Sequence, residues 1–333
     1  MIKPFKNVFW DIVSYCNAKC PFCQSGVNPA KERVEISPQN FRRILENLFE
    51  GNGINNETLI GLYNWSEPFL HKELNQITSI LEQLGLSFSF STNASILPKI
   101  DPSFCKKLNS LTFSMPGFSQ HSYDRVHGFS FEKISRNIQI ITRSIRQFNP
   151  NVNFKISFHV YQFNVGEITN AWEFADKHKI EFSQVYAILN DWERVKKFKK
   201  GVLLPDKLDS IYSCLFSFHW QKKWIPEKAG FDCPQYQYLV IDEQGNLLPC
   251  CQVPKGIPSF TFGNLAREHF SDIIEKQRSL PVCIECSQSG MARFWNSALV
   301  VPDFIPHLSS SPRKLFSRLV SAVVRKIRSK KPW

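Results

Sequence analysis

The sequence lacks an apolar run of the about eighteen residues that a membrane-spanning helix needs. The N-terminal stretch, residues 1–13, is apolar in places, but Lys3, Lys6 and Asp11 interrupt it and it has no small-residue cleavage site. We therefore expect a first strand there and not a signal peptide. Without an export signal the chain is expected in the cytoplasm, where its 10 cysteines are more readily metal ligands than disulfides.

The sequence also lacks the composition of a disordered or uniformly basic protein. Its 333 residues are 43% hydrophobic and 14% aromatic, which predicts one large globular domain or one with a smaller companion. The net charge is +12, but residues 312–333 hold eight Lys or Arg and no acid, so the rest of the chain carries only +4. This near balance argues against a nucleic-acid partner, and RNA modification is the least favoured activity.

Three cysteines, Cys16, Cys20 and Cys23, follow the first predicted strand at a C-x3-C-x2-C spacing. No His or Cys occurs in the ten residues after Cys23, so a local fourth ligand is missing. A thiolate triad can hold three irons of a 4Fe–4S cluster, which normally takes four cysteines, and one iron would then be open to a small molecule. The less favoured alternatives are a zinc knuckle, which needs a fourth ligand, and an incidental cysteine cluster.

The triplet, with Phe22 directly before its last cysteine, resembles the signature of the radical S-adenosylmethionine (SAM) enzymes. The resemblance implies that the amino and carboxylate groups of SAM chelate the open iron, with Phe22 among the cofactor-binding residues. It implies that the reduced cluster cleaves SAM to a 5′-deoxyadenosyl radical, which abstracts a hydrogen atom from a substrate. It further implies an electron donor of the flavodoxin or ferredoxin type.

Apolar periodicity predicts six strands that alternate with helices. The strands are expected at residues 7–13, 58–63, 87–91, 110–114, 153–160 and 184–189. The helices are expected near residues 38–50, 74–84, 102–108, 131–148 and 167–178. This order predicts an α/β fold, a partial (β/α)6 TIM-like barrel, with function at the C-terminal ends of the strands. The nearest alternative is a doubly wound open sheet.

Three predicted strand ends carry residues that resemble cofactor-contacting segments of the same family. Residues 65–68, Trp-Ser-Glu-Pro, resemble its Trp-Gly-Glu-Pro segment, and the carboxylate of Glu67 can accept charge-assisted hydrogen bonds from an ammonium group. Asn93 lies in a segment that resembles Thr-Asn-Gly, and Ser114 begins one that resembles Ser-Ile-Asp-Gly. Relatives often have Gly, Gly and Asp at the positions of Ser66, Ala94 and Pro116.

A second group of four cysteines follows residue 230. Residues 242–246 predict a hairpin turn between strands at 238–241 and 247–248, which brings two of these cysteines together, and a C-x2-C pair follows. Four thiolates make a closed site for zinc or an iron–sulfur cluster. The predicted ligands are Cys233, Cys250, Cys283 and Cys286, with Cys251 as an alternative to Cys250.

The spacing of this second group resembles the "twitch" domain, a half-length version of the SPASM domain that carries one auxiliary 4Fe–4S cluster. A full SPASM domain would need about three more cysteines, and none follows Cys286. We therefore expect one fully protein-ligated auxiliary cluster. The radical SAM signature in the same chain favours this cluster over zinc.

These features divide the chain into four parts. We expect a radical SAM barrel at 1–200, a connecting helical segment at 201–230, an auxiliary-cluster domain at 231–296 and a basic amphipathic tail at 297–333. The apolar and basic faces of residues 312–333 suit peripheral contact with the inner face of the cell membrane. A helix docked on the barrel and a dimer contact remain open alternatives.

The resemblance implies an enzyme that performs a net two-electron oxidation, with the auxiliary cluster taking up the second electron. The chain begins almost at its first strand, so no leader-peptide-binding domain is expected before it, which favours a small molecule or a sugar as substrate. A peptide-modifying maturase is the alternative substrate class. A non-catalytic iron–sulfur electron-transfer protein is the alternative of another kind. No general base is identified, although Asp191 and His159 lie near strand ends.

Overall fold

The computed structural model of the protein describes residues 3–189, 192–199, 214–215 and 233–292. The predicted tail at 297–333 lies outside the described residues, as do Asp191 and all of the connecting segment 201–230 except residues 214–215. Across the described ranges, none of the helices combines the length and the apolar character that crossing a bilayer would require.

The described residues form one eight-stranded sheet with the order β6-β5-β4-β3-β2-β1-β7-β8. The strands are β1 Asn7–Trp10, β2 Leu59–Gly61, β3 Ser87–Thr92, β4 Leu108–Met115, β5 Asn153–Val160, β6 Glu181–Tyr186, β7 Tyr238–Ile241 and β8 Leu247–Leu248. Strands β1 to β6 are parallel and adjacent in chain order. Because this order never reverses, the sheet is wound in one direction, as in a TIM-like barrel. The predicted partial (β/α)6 barrel is confirmed.

The helices follow the predicted alternation. They are α1 Gln24–Val27, α2 Pro38–Glu50, α3 Leu74–Gln83, α4 Pro102–Lys106, α5 Gln120–Arg125, α6 Phe131–Phe148, α7 Ile168–Lys177, α8 Trp192–Lys199, α9 Phe270–Ile273 and α10 Pro281–Gln288. Ser37 caps α2, since its hydroxyl accepts a hydrogen bond from the backbone N–H of Asn40 at 3.2 Å, and Pro38 occupies the first helical position. Local capping and apolar spacing were thus sufficient to locate α2, α3, α4, α6 and α7, whereas α1, α5, α8, α9 and α10 were not predicted.

The predicted sixth strand begins three residues too late. The apolar run after residue 184 predicts a strand at 184–189, but β6 starts at Glu181. Its pairing with β5 runs from Lys155 opposite Glu181 to Val160 opposite Tyr186, and the Lys155 ammonium lies 3.4 Å from the Glu181 carboxylate. The register with the neighbouring strand therefore decides where β6 begins, and the local apolar pattern does not.

The C-terminal hairpin extends the barrel sheet. Strand β7 pairs in parallel with β1, from Asn7 opposite Tyr238 to Trp10 opposite Ile241, and β8 pairs antiparallel with β7. The hairpin itself is at the predicted residues, but its pairing with the first strand of the chain was not predicted. A continuous backbone ladder therefore connects the barrel to the cysteine-rich C-terminal part.

Side chains reinforce this connection on the helical side of the sheet. Asn47 of α2 donates from Nδ2 to the carbonyls of Leu265 and Glu268 at 2.9 and 2.8 Å, and its Oδ1 accepts from the N–H of Phe270 at 2.9 Å. The ring of Phe270 packs directly over Gly53, where an added Cβ would lie 2.7 Å from it. Phe270 belongs to the same apolar core as the barrel strands. The two parts therefore share one core.

Replacing Asn47 with Ala tests whether this connection stabilises the fold. The loss of three hydrogen bonds at a half-buried position should lower the free energy of unfolding by about 2–3 kcal/mol, as measured by urea denaturation. The matched control is Asn40→Ala, whose exposed side chain accepts a hydrogen bond from Arg43 and which should change stability by less than about 0.5 kcal/mol. Equal effects of the two substitutions would contradict the proposed connection.

Candidate active site

The first three cysteines lie together on the loop between β1 and α1, at the C-terminal edge of the sheet. Cys16, Cys20 and Cys23 are all half-buried, and the N–H of Cys23 donates to the carbonyl of Cys20 at 3.2 Å. Burial raises the pKa of all three thiols, to about 12 for Cys16. The charges of Cys16 and Cys23 further raise the pKa of Cys20. A metal that binds this loop must therefore displace protons from the thiols.

Gly26 allows the loop to fold back on itself. An added Cβ at Gly26 would lie 2.2 Å from the carbonyl oxygen and 2.6 Å from the nitrogen of Cys20. No side chain fits against the backbone at these distances, so only glycine permits α1 to pack there. This requirement was not predicted, because it depends on a contact between two turns of the same loop.

Glu67 is buried beside the cysteine loop and joins the ends of two neighbouring strands. Its Oε1 accepts hydrogen bonds from Thr92 Oγ1 at 2.7 Å and from the N–H of Phe69 at 3.2 Å, while its Oε2 accepts from the N–H of Asn93 at 2.7 Å. Desolvation raises the pKa of the Glu67 carboxyl to about 7, although these hydrogen bonds oppose the shift. Its charge also raises the pKa of Cys16, so the two side chains belong to one site.

Asn93 contacts the cysteine loop directly. Its Nδ2 donates to Asn17 Oδ1 at 3.0 Å and lies 3.7 Å from the sulfur of Cys16. The next residue, Ala94, has a φ of 58°, in the left-handed region that favours glycine, which gives a physical reason for the Gly in related segments. The Asn137 side chain donates to the Ala94 carbonyl at 2.8 Å and holds this turn in place.

The other two predicted cofactor residues, Phe22 and Ser114, lie beside strands β4 and β5. Phe22 is buried and its ring packs against Tyr161, just after β5, with the centroids 5.2 Å apart. Ser114 is half-buried near the end of β4 and pairs in register with Ser157 of β5. Within the ranges that the structure describes, no hydrogen bond connects Ser114 to Glu67 or Asn93.

Asp11, directly after β1, organises the loop that carries Glu67. This fully buried carboxylate accepts hydrogen bonds on Oδ1 from the N–H groups of Asn64, Trp65 and Ser66 at 3.1, 3.0 and 2.9 Å. The Ser66 hydroxyl also donates to it, at 2.5 Å. The sequence was interpreted only as having a charge here that interrupts an apolar stretch. The position of an acid directly after the first strand was the available signal for its role.

Helix α8 connects the first cysteine loop to the C-terminal part. Arg194 donates from Nη1 to the carbonyl of Pro21 at 2.9 Å, and its charge lowers the pKa of Cys23 against the larger effect of burial. Trp192 donates from its backbone N–H to the carbonyl of Gln252 at 3.0 Å. The Lys196 ammonium lies 2.7 Å from the Glu285 carboxylate. None of these contacts was predicted.

The second group of cysteines surrounds one cavity, which Tyr236 and Trp192 also line. The lining cysteines are the four predicted ligands Cys233, Cys250, Cys283 and Cys286. Burial raises the pKa of the Cys250 thiol to about 12 and that of Cys283 to about 11. Cys251 does not line this cavity, and its charge acts instead on Tyr63, at the end of β2.

An all-thiolate donor set fits an iron–sulfur cluster or zinc. In residues 3–189, 192–199, 214–215 and 233–292, no three Cys, His, Asp or Glu side chains converge closely enough to hold one metal ion. The four thiols nevertheless face a common cavity, and the three thiols of the first loop act electrostatically on one another. Both groups therefore have the donor chemistry of iron–sulfur sites.

Comparisons with known proteins show what this chain is similar to. Residues 233–297 match the SPASM family, described as an iron–sulfur cluster-binding domain. The chain is 29% identical over 175 residues to an S-adenosylmethionine-dependent nucleotide dehydratase of Fibrobacter sp. (strain UWH6), covering 48% of this chain and 49% of that protein. It is 20% identical over 291 residues to a PqqA peptide cyclase of Xanthomonas campestris pv. campestris (strain 8004), covering 82% and 74% of the two chains.

A solved structure shares the fold. The crystal structure of Streptococcus suis SuiB bound to S-adenosylmethionine superimposes with a TM-score of 0.58 at 15% identity, over 90% of this chain and 78% of that one. The match to the nucleotide dehydratase spans about half the length of that relative. Taken together with the two cysteine groups, these similarities support the predicted resemblance to radical SAM enzymes, and residues 233–297 match a SPASM-type iron–sulfur domain. The predicted resemblance is confirmed.

Substituting Gly26 with Ala should disrupt the first cysteine loop selectively. The new Cβ cannot fit against Cys20, so the loop must move, whereas none of the three atoms nearest to that Cβ belongs to the second cysteine group. After anaerobic reconstitution, iron bound per chain should fall from about eight to about four. Gly166→Ala is the control, because an added Cβ there meets no atom within 4 Å. Full iron content in Gly26→Ala would contradict this interpretation.

The pKa of Glu67 predicts how stability depends on pH. A folded-state pKa of about 7, above the ordinary value of 4.5, means that the folded chain binds more protons between these two values. The contribution of Glu67 should therefore destabilise the reduced, metal-free chain by up to about 3 kcal/mol as pH rises from 4.5 to above 7. Urea unfolding of wild type and Glu67→Gln at pH 5 and pH 7.5 would check this. The same pH dependence in both proteins would contradict it.

Proposed function

We propose that this protein is a radical SAM enzyme in which Cys16, Cys20 and Cys23 hold a 4Fe–4S cluster and leave one iron to SAM. The observation that carries the proposal is the juxtaposition at the sheet edge of three thiols with a buried carboxylate and an amide. The cluster loop, the end of β2 and the end of β3 contribute these groups. Such a site can bind a molecule that carries both a metal-chelating end and an ammonium group.

The residues of this chain have distinct proposed roles. Glu67 accepts hydrogen bonds from the amino group of SAM, and Asn93 fixes the position of Cys16. Phe22 provides an apolar wall, and Ser114 offers a hydroxyl to the ribose or the carboxylate. When bound, the reduced cluster and SAM supply a 5′-deoxyadenosyl radical that abstracts hydrogen from substrate, and an auxiliary cluster can accept the remaining electron.

The four cysteines of the C-terminal cavity are proposed to hold the auxiliary 4Fe–4S cluster, fully ligated by protein. Their common cavity and the SPASM match support this assignment. Because Cys251 lies outside the cavity lining, Cys250 is the proposed fourth ligand. Three further expectations remain predictions. They are the division of the chain at residues 200, 230 and 296, an electron donor of the flavodoxin or ferredoxin type, and membrane contact through residues 312–333.

We propose a small molecule as the substrate and a net two-electron oxidation as the reaction. The nucleotide dehydratase relative, which is named for a small substrate, supports a small molecule without supporting the reaction type. The PqqA peptide cyclase relative aligns with 82% of this chain and favours a peptide as the second candidate. A non-catalytic electron carrier is disfavoured, because three cysteines in the first loop leave a ligand position unfilled.

The test is the cleavage of SAM by the anaerobically reconstituted protein after reduction with dithionite. We expect 5′-deoxyadenosine as product, and we expect Cys20→Ala to abolish it because one cluster ligand is removed. The matched variant Cys105→Ala changes a buried cysteine of the barrel core and should retain the product. Product formation that survives in Cys20→Ala, or a chain that binds no iron, would contradict the proposed function.

A further inference from the structure

Lys255 enters the barrel edge from the C-terminal domain, on the segment that follows β8. Its ammonium group lies 3.4 Å from Asp11 Oδ2 and 3.1 Å from Glu243 Oε2, and it donates to the Val13 carbonyl at 3.2 Å. The side chain is only 11% exposed, and the side chains of Asp11 and Glu243 are 0% and 7% exposed. A buried cation therefore lies between two buried carboxylates, one from each part of the chain.

The charges around Lys255 keep it protonated, and two buried carboxylates depend on it for a counter-charge. Burial alone would lower the pKa of Lys255, but Asp11, Glu243 and the nearby Asp242 raise it, so the side chain stays protonated. In the part of the chain that the structure describes, the ion pairs of Asp11 and Glu243 are both made with Lys255. Without it, each of the two buried carboxylates would lose the cation that it contacts.

A short series of contacts connects Lys255 to Glu67. Asp11, which Lys255 neutralises, receives the N–H groups of residues 64–66. The Ser25 hydroxyl of α1 donates to the Trp65 carbonyl, and the N–H of Glu67 donates to the Tyr15 carbonyl at 3.1 Å. Residues 64–67 are therefore fixed between the end of β1, the cysteine loop and α1. Three successive N–H groups of this loop therefore point to the Asp11 carboxylate.

We propose that Lys255 is a positioning residue for SAM binding. By neutralising Asp11 from the SPASM-type domain, it holds residues 64–67 so that Glu67 faces the three-cysteine loop. The C-terminal domain thus contributes to the cofactor site of the barrel through charge, independently of any cluster that it carries. This inference rests on the proposed function only in that SAM is the ligand of that site.

The first test is hydrogen exchange on the reconstituted protein, comparing wild type with Lys255→Met. We expect the amides of residues 64–66 to exchange about tenfold faster in the variant, while the amides of α6 are unchanged. The control Glu243→Gln leaves the contact between Lys255 and Asp11 in place and should keep the protection. Lys255→Arg should keep it. Unchanged exchange at residues 64–66 in Lys255→Met would overturn the proposal.

The second test measures the dissociation constant of SAM by equilibrium dialysis, with iron content determined on the same samples. Lys255→Met should bind SAM about tenfold more weakly at unchanged iron content, whereas Glu243→Gln should bind it normally. The control Lys276→Met removes an exposed partner of Glu268 in the same domain and should bind normally. Equal affinity of Lys255→Met and wild type would count against the inference. Failure of wild type to bind SAM would count against the proposed function, and the exchange comparison would still decide the positioning role.

Discussion

The candidate active site depends on the interactions of one buried carboxylate, that of Asp11. A carboxylate without exposure to water is tolerated only when hydrogen bonds and a counter-charge compensate its lost solvation. Here three backbone N–H groups, a hydroxyl and the Lys255 ammonium provide that compensation. The N–H groups and the hydroxyl come from residues 64–66, and the ammonium comes from the C-terminal domain. The requirement to satisfy one anion therefore assembles the end of β1, the Glu67 loop and the C-terminal domain in a single arrangement.

The same arrangement explains why the two cysteine groups belong to one structural frame. Strand β7 continues the sheet beside β1, and the side chain of Asn47 fastens the segment around Phe270 to α2. Helix α8 contacts both groups, through Arg194 at the first loop and Trp192 at the C-terminal cavity. A packed interior has low compressibility, so the shared core fixes the distance between the two cysteine groups. A reaction that uses two redox centres requires such fixed spacing.

Local patterns in the sequence predicted most of the barrel. The cap at Ser37, the apolar spacing in α6 and the cysteine intervals depend on neighbours within a few residues, so they can be identified without the fold. The predicted start of β6 was wrong, because the pairing of Glu181 with Lys155 of β5 decides where the strand begins. The roles of Asp11 and Lys255 depend on a contact across 244 residues, which no local period contains. The requirement for glycine at position 26 could not be predicted either, because it depends on a close approach to the Cys20 backbone that exists only in the folded loop.

In the proposed function, the three-cysteine loop leaves one iron open to the amino and carboxylate groups of SAM. The most direct measurement is electron–nuclear double resonance of the reduced, reconstituted protein with SAM labelled with nitrogen-15 at its amino group. Removing Cys283 and Cys286 beforehand would leave one paramagnetic centre to observe. We predict a nitrogen coupling that shows direct coordination to iron. A cluster signal that SAM leaves unchanged, with no such coupling, would contradict the account.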